Sequence, residues 1–173
     1  TNVSAMADQV DAFRQELSKL GWIEGKNIAF EYRFAEQKPE RVPELAAELV
    51  RLKVDLIVTS GTPPALAAKK ATTTIPIIIS NPDPVALGLV ASLARPGGNV
   101  TGLSTLATEL NTKRLEILKD AVPKLDRVGL LHRSAGNPGE ELQLEELRAA
   151  AGALKIKLEE IKTQLDAQGL ESA

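Results

Sequence analysis

Short apolar runs recur along this chain, and each gives way to a helical pattern. DLIVTS at 55–60, IPIIIS at 75–80 and RVGLLH at 127–132 are nearly continuous in Val, Ile and Leu. Runs of that kind suit parallel strands covered on both faces. Helical spacing follows at 62–71, at about 84–94, at 109–121 and from 137 onward. A strand that recurs after every helix predicts right-handed βαβ crossovers and an α/β fold with a parallel sheet.

The flanks extend the pattern. Met6, Val10, Phe13, Leu17 and Leu20 mark one face of a first helix, with Ser4 as its N-cap and Gly21 as a left-handed stop. NIAFEYRF at 27–34 alternates apolar and polar, as a half-covered strand does. Pro39 opens a second helix with Val42, Leu45, Ala46 and Leu49 inward. The helix at 84–94 is expected to end at RPGGN, and NVTGLS at 99–104 to be extended. In the helix at 109–121, Leu110, Arg114, Ile117, Leu118 and Ala121 form a stripe. Asn137-Pro138-Gly139-Glu140 reads as a capping box with proline at the first helical position, and Leu144, Leu147, Ala151 and Leu154 as that helix's apolar face. IKLEEIKT at 156–163 is a last strand, and LDAQGLESA a loop entering a helix. Trp22 and Tyr32 read as packing residues.

Two things look incomplete. The first helix has no strand before it, and the last strand has no successor. A doubly wound sheet keeps its first strand near the centre. The expectation is therefore a lobe at 1–104 that lacks its first strand, followed by a partial second lobe at 105–173.

Composition narrows the function. At 173 residues, 43% hydrophobic and 25% charged, the chain is an ordinary globular one. A net charge of −2 argues against a nucleic-acid surface, which needs clustered Lys and Arg. No run approaches the roughly 18 apolar residues that span a bilayer. With no cysteine there is neither disulfide nor thiolate chemistry, and a single histidine, His132, excludes a multi-histidine metal site within one chain. A Ser-His-Asp triad would have to use His132; the alternative is a strand-end residue near a cleft. Neither the Walker nor the Rossmann glycine pattern occurs, and Lys69 and Lys70 lie too far along their helix to reach its start, which argues against a nucleotide. No cofactor or metal is expected.

In open α/β sheets, ligands bind beyond the carboxyl ends of the strands. There the chain carries Ser60-Gly61-Thr62, then Asn81, Asp83 and Pro84, then the stretch from His132 to Asn137. Pro63 and Pro64 fix a helix start after Thr62, because proline is tolerated in the first turn. The Thr62 hydroxyl either caps that helix or faces a ligand, and Ser60-Gly61-Thr62 could cradle a carboxylate at the helix end. Asp83 either caps the next helix or meets an ammonium group across a cleft. The acidic run Glu140, Glu141, Glu145 and Glu146 reads as a solvated face at a helix start.

The combination G-W-I-E-G-K-N-I, T-S-G-T-P-P-A, D-P-V-A-L-G-L-V and R-P-G-G-N-V-T-G resembles the ABC-transporter substrate-binding proteins of the TrpX-like group. The resemblance continues through ELNTKRLEILKDAVPKLDRVGLLHR and NPGEELQLEELRAAA, so it covers nearly the whole chain. It implies a type I periplasmic binding fold, with two Rossmann-like α/β lobes and a small solute, an amino acid or related carboxylate, clamped between them. It implies Ser60, Gly61 and Thr62 on one wall and Asn81, Asp83 and Pro84 on a second. NVTGLS would be the hinge crossover with Ser104 near the cleft, and the stretch from His132 to Asn137 the second-lobe wall. A transporter permease would be the partner, and the location periplasmic or lipid-anchored outside the cytoplasm. The chain departs from the family in opening without an export signal or first strand and in carrying only the start of the second lobe. Unpaired strand edges then invite a homodimer. Two other readings stand beside transport. A ligand-sensing regulatory domain would carry a DNA-binding or signalling segment in the full gene; a small-acid enzyme using Asp83 and His132 would lose turnover when both are changed.

Overall fold

The computed structural model describes residues 3–36, 38–81, 83–105, 107–133 and 136–163. In chain order the elements are α1 (Val3–Lys19), a 3₁₀ turn (Pro39–Arg41), α2 (Val42–Arg51), β1 (Ile57–Ser60), α3 (Thr62–Ala71), β2 (Ile77–Asn81), β3 (Val100–Ser104), α4 (Ala107–Ala121), β4 (Arg127–Arg133), α5 (Pro138–Ala153) and β5 (Lys157–Thr163). Among the described residues every strand pairing is parallel, as the apolar runs predict. β1, β2 and β3 form one sheet in that order, and β4 pairs with β5 in a second.

The first sheet buries one face. Ile57, Ile77, Ile79 and Val100 pack with Ala65 and Ala68 of α3 and with Leu89 and Val90 from the loop after β2. Alternate residues point the other way, and there the expectation of two covered faces fails: Val58 is 52% and Leu103 72% exposed, with Ile78 beside them. Among the described residues, α1 contributes none to this core. Gly102 lets β3 lie close to β2, since a side chain there would run into the Ile79 backbone. In the second unit Leu115 of α4, Ala150 and Ala151 of α5, and Ile156 make a smaller core.

Several expectations are corrected. Residues 27–34 form no strand; the extended stretch makes only an isolated parallel bridge, Glu24 to Ile28. The alternation there serves side-chain stacking instead. Phe30, Tyr32 and Phe34 stack successively at centroid distances of 6.0 and 6.1 Å, and Phe13 of α1 meets Phe30 edge-on at 6.3 Å. With no neighbouring strand among the described residues to pair its backbone, this segment leans on helices instead: its aromatic rings meet α1, and Arg33 donates to Glu48 of α2 at 2.8 Å. Residues 84–94 form no helix either. One turn follows Asp83, then Gly88 at φ +65° reverses the chain, and the N–H groups of Leu89 and Val90 both return to the Pro84 carbonyl. Ser4 lies inside α1 rather than capping it. Gly21 does stop α1, at φ +90°, with Trp22 N–H donating to the Leu17 carbonyl. On α4 the stripe of Leu110, Arg114, Ile117, Leu118 and Ala121 faces outward, and among the described side chains of this helix Leu115 is the buried one. A two-stranded sheet gives α4 little to cover, for the same reason that Leu131 of β4 is half exposed. The ending LDAQGLESA lies outside the described residues.

Candidate functional site

The carboxyl end of β1 turns into α3 through Gly61 at φ +85°, a conformation that glycine adopts freely. Gly61, not Thr62, is the N-cap, and no side chain caps the helix. The two prolines then have a consequence beyond fixing the start. A helix N-terminus normally offers several unpaired N–H groups. Here Pro63 and Pro64 have none, the Gly61 N–H donates to the Ser80 carbonyl at 3.0 Å, and the Ala65 N–H reaches the Gly61 carbonyl at 3.4 Å. Among the described residues, the Thr62 N–H is what this turn has left to offer an anion. The expected N–H cradle is therefore much reduced.

Thr62 itself is buried, 4% exposed, so its hydroxyl neither caps α3 nor stands open to solvent. The hydroxyl accepts from Asn81 Nδ2 at 3.2 Å. Asn81, 1% exposed at the end of β2, uses its other amide atom as well: Oδ1 accepts the Asp83 N–H at 3.1 Å. Both ends of the amide are thus satisfied, as burial demands. The Asp83 carboxylate accepts the Ala86 N–H at 3.0 Å, so it caps the single turn that stands where a helix was expected. Pro84 is buried and Ser60 exposed. Ser104 is half-buried at the end of β3, directly across from Asn81 in register. Pro84 and Ser104 border a cavity of only about 30 Å³, the room of one water molecule.

Asn137 is committed to α5. Its Oδ1 accepts the N–H groups of Gly139 and Glu140 at 3.0 and 3.3 Å, while Glu140 Oε2 accepts the Asn137 N–H at 3.3 Å. The capping box read from the sequence is present in full. This end of α5 lies against Thr62, so closely that a methyl group on Gly139 would overlap the threonine hydroxyl. The structure thereby brings Thr62, Asn81 and Asn137 together, with Asp83 and Ser104 adjoining Asn81.

His132 belongs to a different group. Its Nε2 is 3.6 Å from Glu160 on β5. Arg148 of α5 grips Glu160 with two bonds of 2.7 and 2.8 Å and reaches Glu141 at 3.1 Å. The hydrogen bonds from Arg148 hold the Glu160 carboxyl below its ordinary range, and the nearby His132 acts in the same direction. A larger hollow of about 360 Å³ lies between α1 and the segment after it, lined by Asp11, Arg14, Trp22, Ile23 and Phe30 among others; no predicted site residue borders it. Trp22 thus faces a groove against α1, half exposed. Gly139 is the residue that the sequence reading passed over. Its signal was available: a glycine inside a helix weakens it and calls for a reason.

Known proteins carry the same pattern. The family model for the ABC transporter substrate binding protein matches residues 2–173. A tyrosine-binding protein from Clostridioides difficile (strain R20291) is 37% identical over 124 residues, 71% of this chain and 35% of the relative. A conserved domain protein from Vibrio cholerae superposes with a TM-score of 0.77 at 33% identity, covering 94% of this chain and 55% of that one. An ABC domain in complex with L-Trp from Streptococcus pneumonia gives 0.71 at 27% identity, covering 86% and 49%. The chain thus spans about half the length, or less, of these relatives. Parallel α/β units, the polar strand ends and the match across residues 2–173 agree: this chain belongs to the ABC transporter substrate-binding protein family.

Proposed function

We propose that this chain is part of the solute-binding component of an ABC importer, and that it holds a small solute, an amino acid or related carboxylate, between two α/β lobes, residues 1–104 and 105–173. The observation that carries the reading is the meeting of Thr62 and Asn81, at the strand ends of the first unit, with the start of α5 in the second. Ser60, Gly61, Thr62, Asn81, Asp83, Pro84, Ser104, His132 and Asn137 are the proposed lining. Within it, the Thr62 N–H and the Ser60 hydroxyl would meet the carboxylate, and the Asp83 carboxylate the ammonium group. Binding of this kind needs no bond made or broken in the solute, so we read the chain as a carrier rather than an enzyme. A permease would receive the solute, and the carrier would work outside the cytoplasm, as importer-binding proteins do. The relatives that bind tyrosine and L-Trp support an amino-acid class. No aromatic side chain belongs to the proposed lining, so selection would rest on the polar ends of the solute.

The test is a thermal-shift screen against the common amino acids and small carboxylates, since a ligand of the folded state raises the midpoint by mass action. A rise confined to one amino-acid class, abolished by Asp83→Asn, supports the reading. A rise with non-carboxylate solutes only, or one indifferent to Asp83, sinks it.

A further inference from the structure

Gly139 occupies the second helical position of α5, buried, with an ordinary helical backbone. Nothing in its backbone conformation requires glycine, and alanine would favour the helix. Its surroundings do require it. A Cβ built there would overlap Thr62 Oγ1 and lie 3.3 Å from both Thr62 Cβ and Asn137 Oδ1. Thr62 cannot step aside, because it is tied to the buried amide of Asn81 and sits in a turn fixed by Pro63 and Pro64. Asn137 is equally tied, by its two caps on α5. A second glycine of the same helix, Gly152, has nothing within 4 Å of its Cβ position.

We infer that Gly139 is a positioning residue that sets how closely the two sheet units approach: its missing side chain lets the start of α5 seat on Thr62, and any side chain there holds the units apart. The inference rests on reading the chain as two units flanking a cleft, and not on the identity of any ligand.

The chain has no cysteine, so Arg51→Cys on α2 and Glu146→Cys on α5, both exposed, take spin labels at unique positions. Pulsed electron paramagnetic resonance then reads the distance between the units without ligand. Gly139→Ala is expected to lengthen and broaden that distance, Gly152→Ala to leave it at the parent value, and the pair Thr62→Ala with Gly139→Ala to restore it. Circular dichroism accompanies each variant. A Gly139→Ala chain that fails to fold, rescued by Thr62→Ala, supports the same contact. An unchanged distance in Gly139→Ala, a displaced double variant, or a double variant that does not fold overturns the inference. Because no solute is present, a lengthened distance alongside a failed ligand screen would count against the transport reading alone.

Discussion

Asn81 donates its side-chain amide to the hydroxyl of Thr62 at 3.2 Å, joining the end of β2 to the first turn of α3 inside the protein. Removing one partner leaves the other buried and unpaired, which costs about 1–3 kcal/mol. Thr62→Val keeps the shape and removes the acceptor, so urea unfolding should show a loss in that range. Thr62→Ser, which keeps the hydroxyl, should recover most of it. Equal stability of Val and Ser variants would mean that the bond contributes nothing.

Gly102→Ala should be among the most damaging small changes in the first unit. At φ +152°, its added methyl would run into the Ile79 backbone, which belongs to the adjacent strand and has no room to yield. Overpacking of this kind costs about 1–3 kcal/mol or more. Chemical denaturation followed by far-ultraviolet circular dichroism measures it, and a variant as stable as the parent contradicts the close β2–β3 approach.

Asn137→Ala should weaken the start of α5 by about 1 kcal/mol, the usual worth of an N-cap side chain. Asn137→Asp keeps both accepted bonds and should cost far less. Amide hydrogen exchange localises the effect: Gly139 and Glu140 should lose protection in the alanine variant before the rest of α5.

The Glu160 carboxyl is held below its ordinary range by Arg148. A group whose folded value is depressed contributes stability that is present above its unfolded value, near 4.3. That contribution is lost as pH falls through the folded value. Stability should therefore decline between about pH 5 and the acid region, and Glu160→Gln should flatten part of that decline. Because the pair is solvent-facing, added salt should shrink the difference. A Gln variant with the parent's acid limb would exclude the Arg148 bridge as a contributor.

Much of the architecture was legible because parallel strands announce themselves. β1, β2 and β4 are apolar runs with few competing readings, and α5 carries its own start signal in Asn137-Pro138-Gly139-Glu140. The errors share a cause: periodicity records which side chains are apolar, not what is there to cover them. Residues 27–34 alternate correctly but have no strand beside them, and the α4 stripe has no sheet to face. Residues 84–94 have helical spacing, yet Gly88 closes the first turn. At the site, residue types named the strand-end candidates but not their partners. Thr62 was a cap or a ligand group by sequence; its bond to Asn81 spans 19 positions and could be seen only in the fold.

The aromatic side chains of this chain are Phe13, Trp22, Phe30, Tyr32 and Phe34, all within one short stretch around α1. Its intrinsic fluorescence therefore reports on that stretch and on nothing else. Solute held at the proposed lining would leave the emission unchanged unless the solute were itself fluorescent. An unfolding curve followed by tryptophan emission would trace the detachment of the segment around α1, while circular dichroism traced the two sheets. Any gap between those curves would measure how independently this segment lets go.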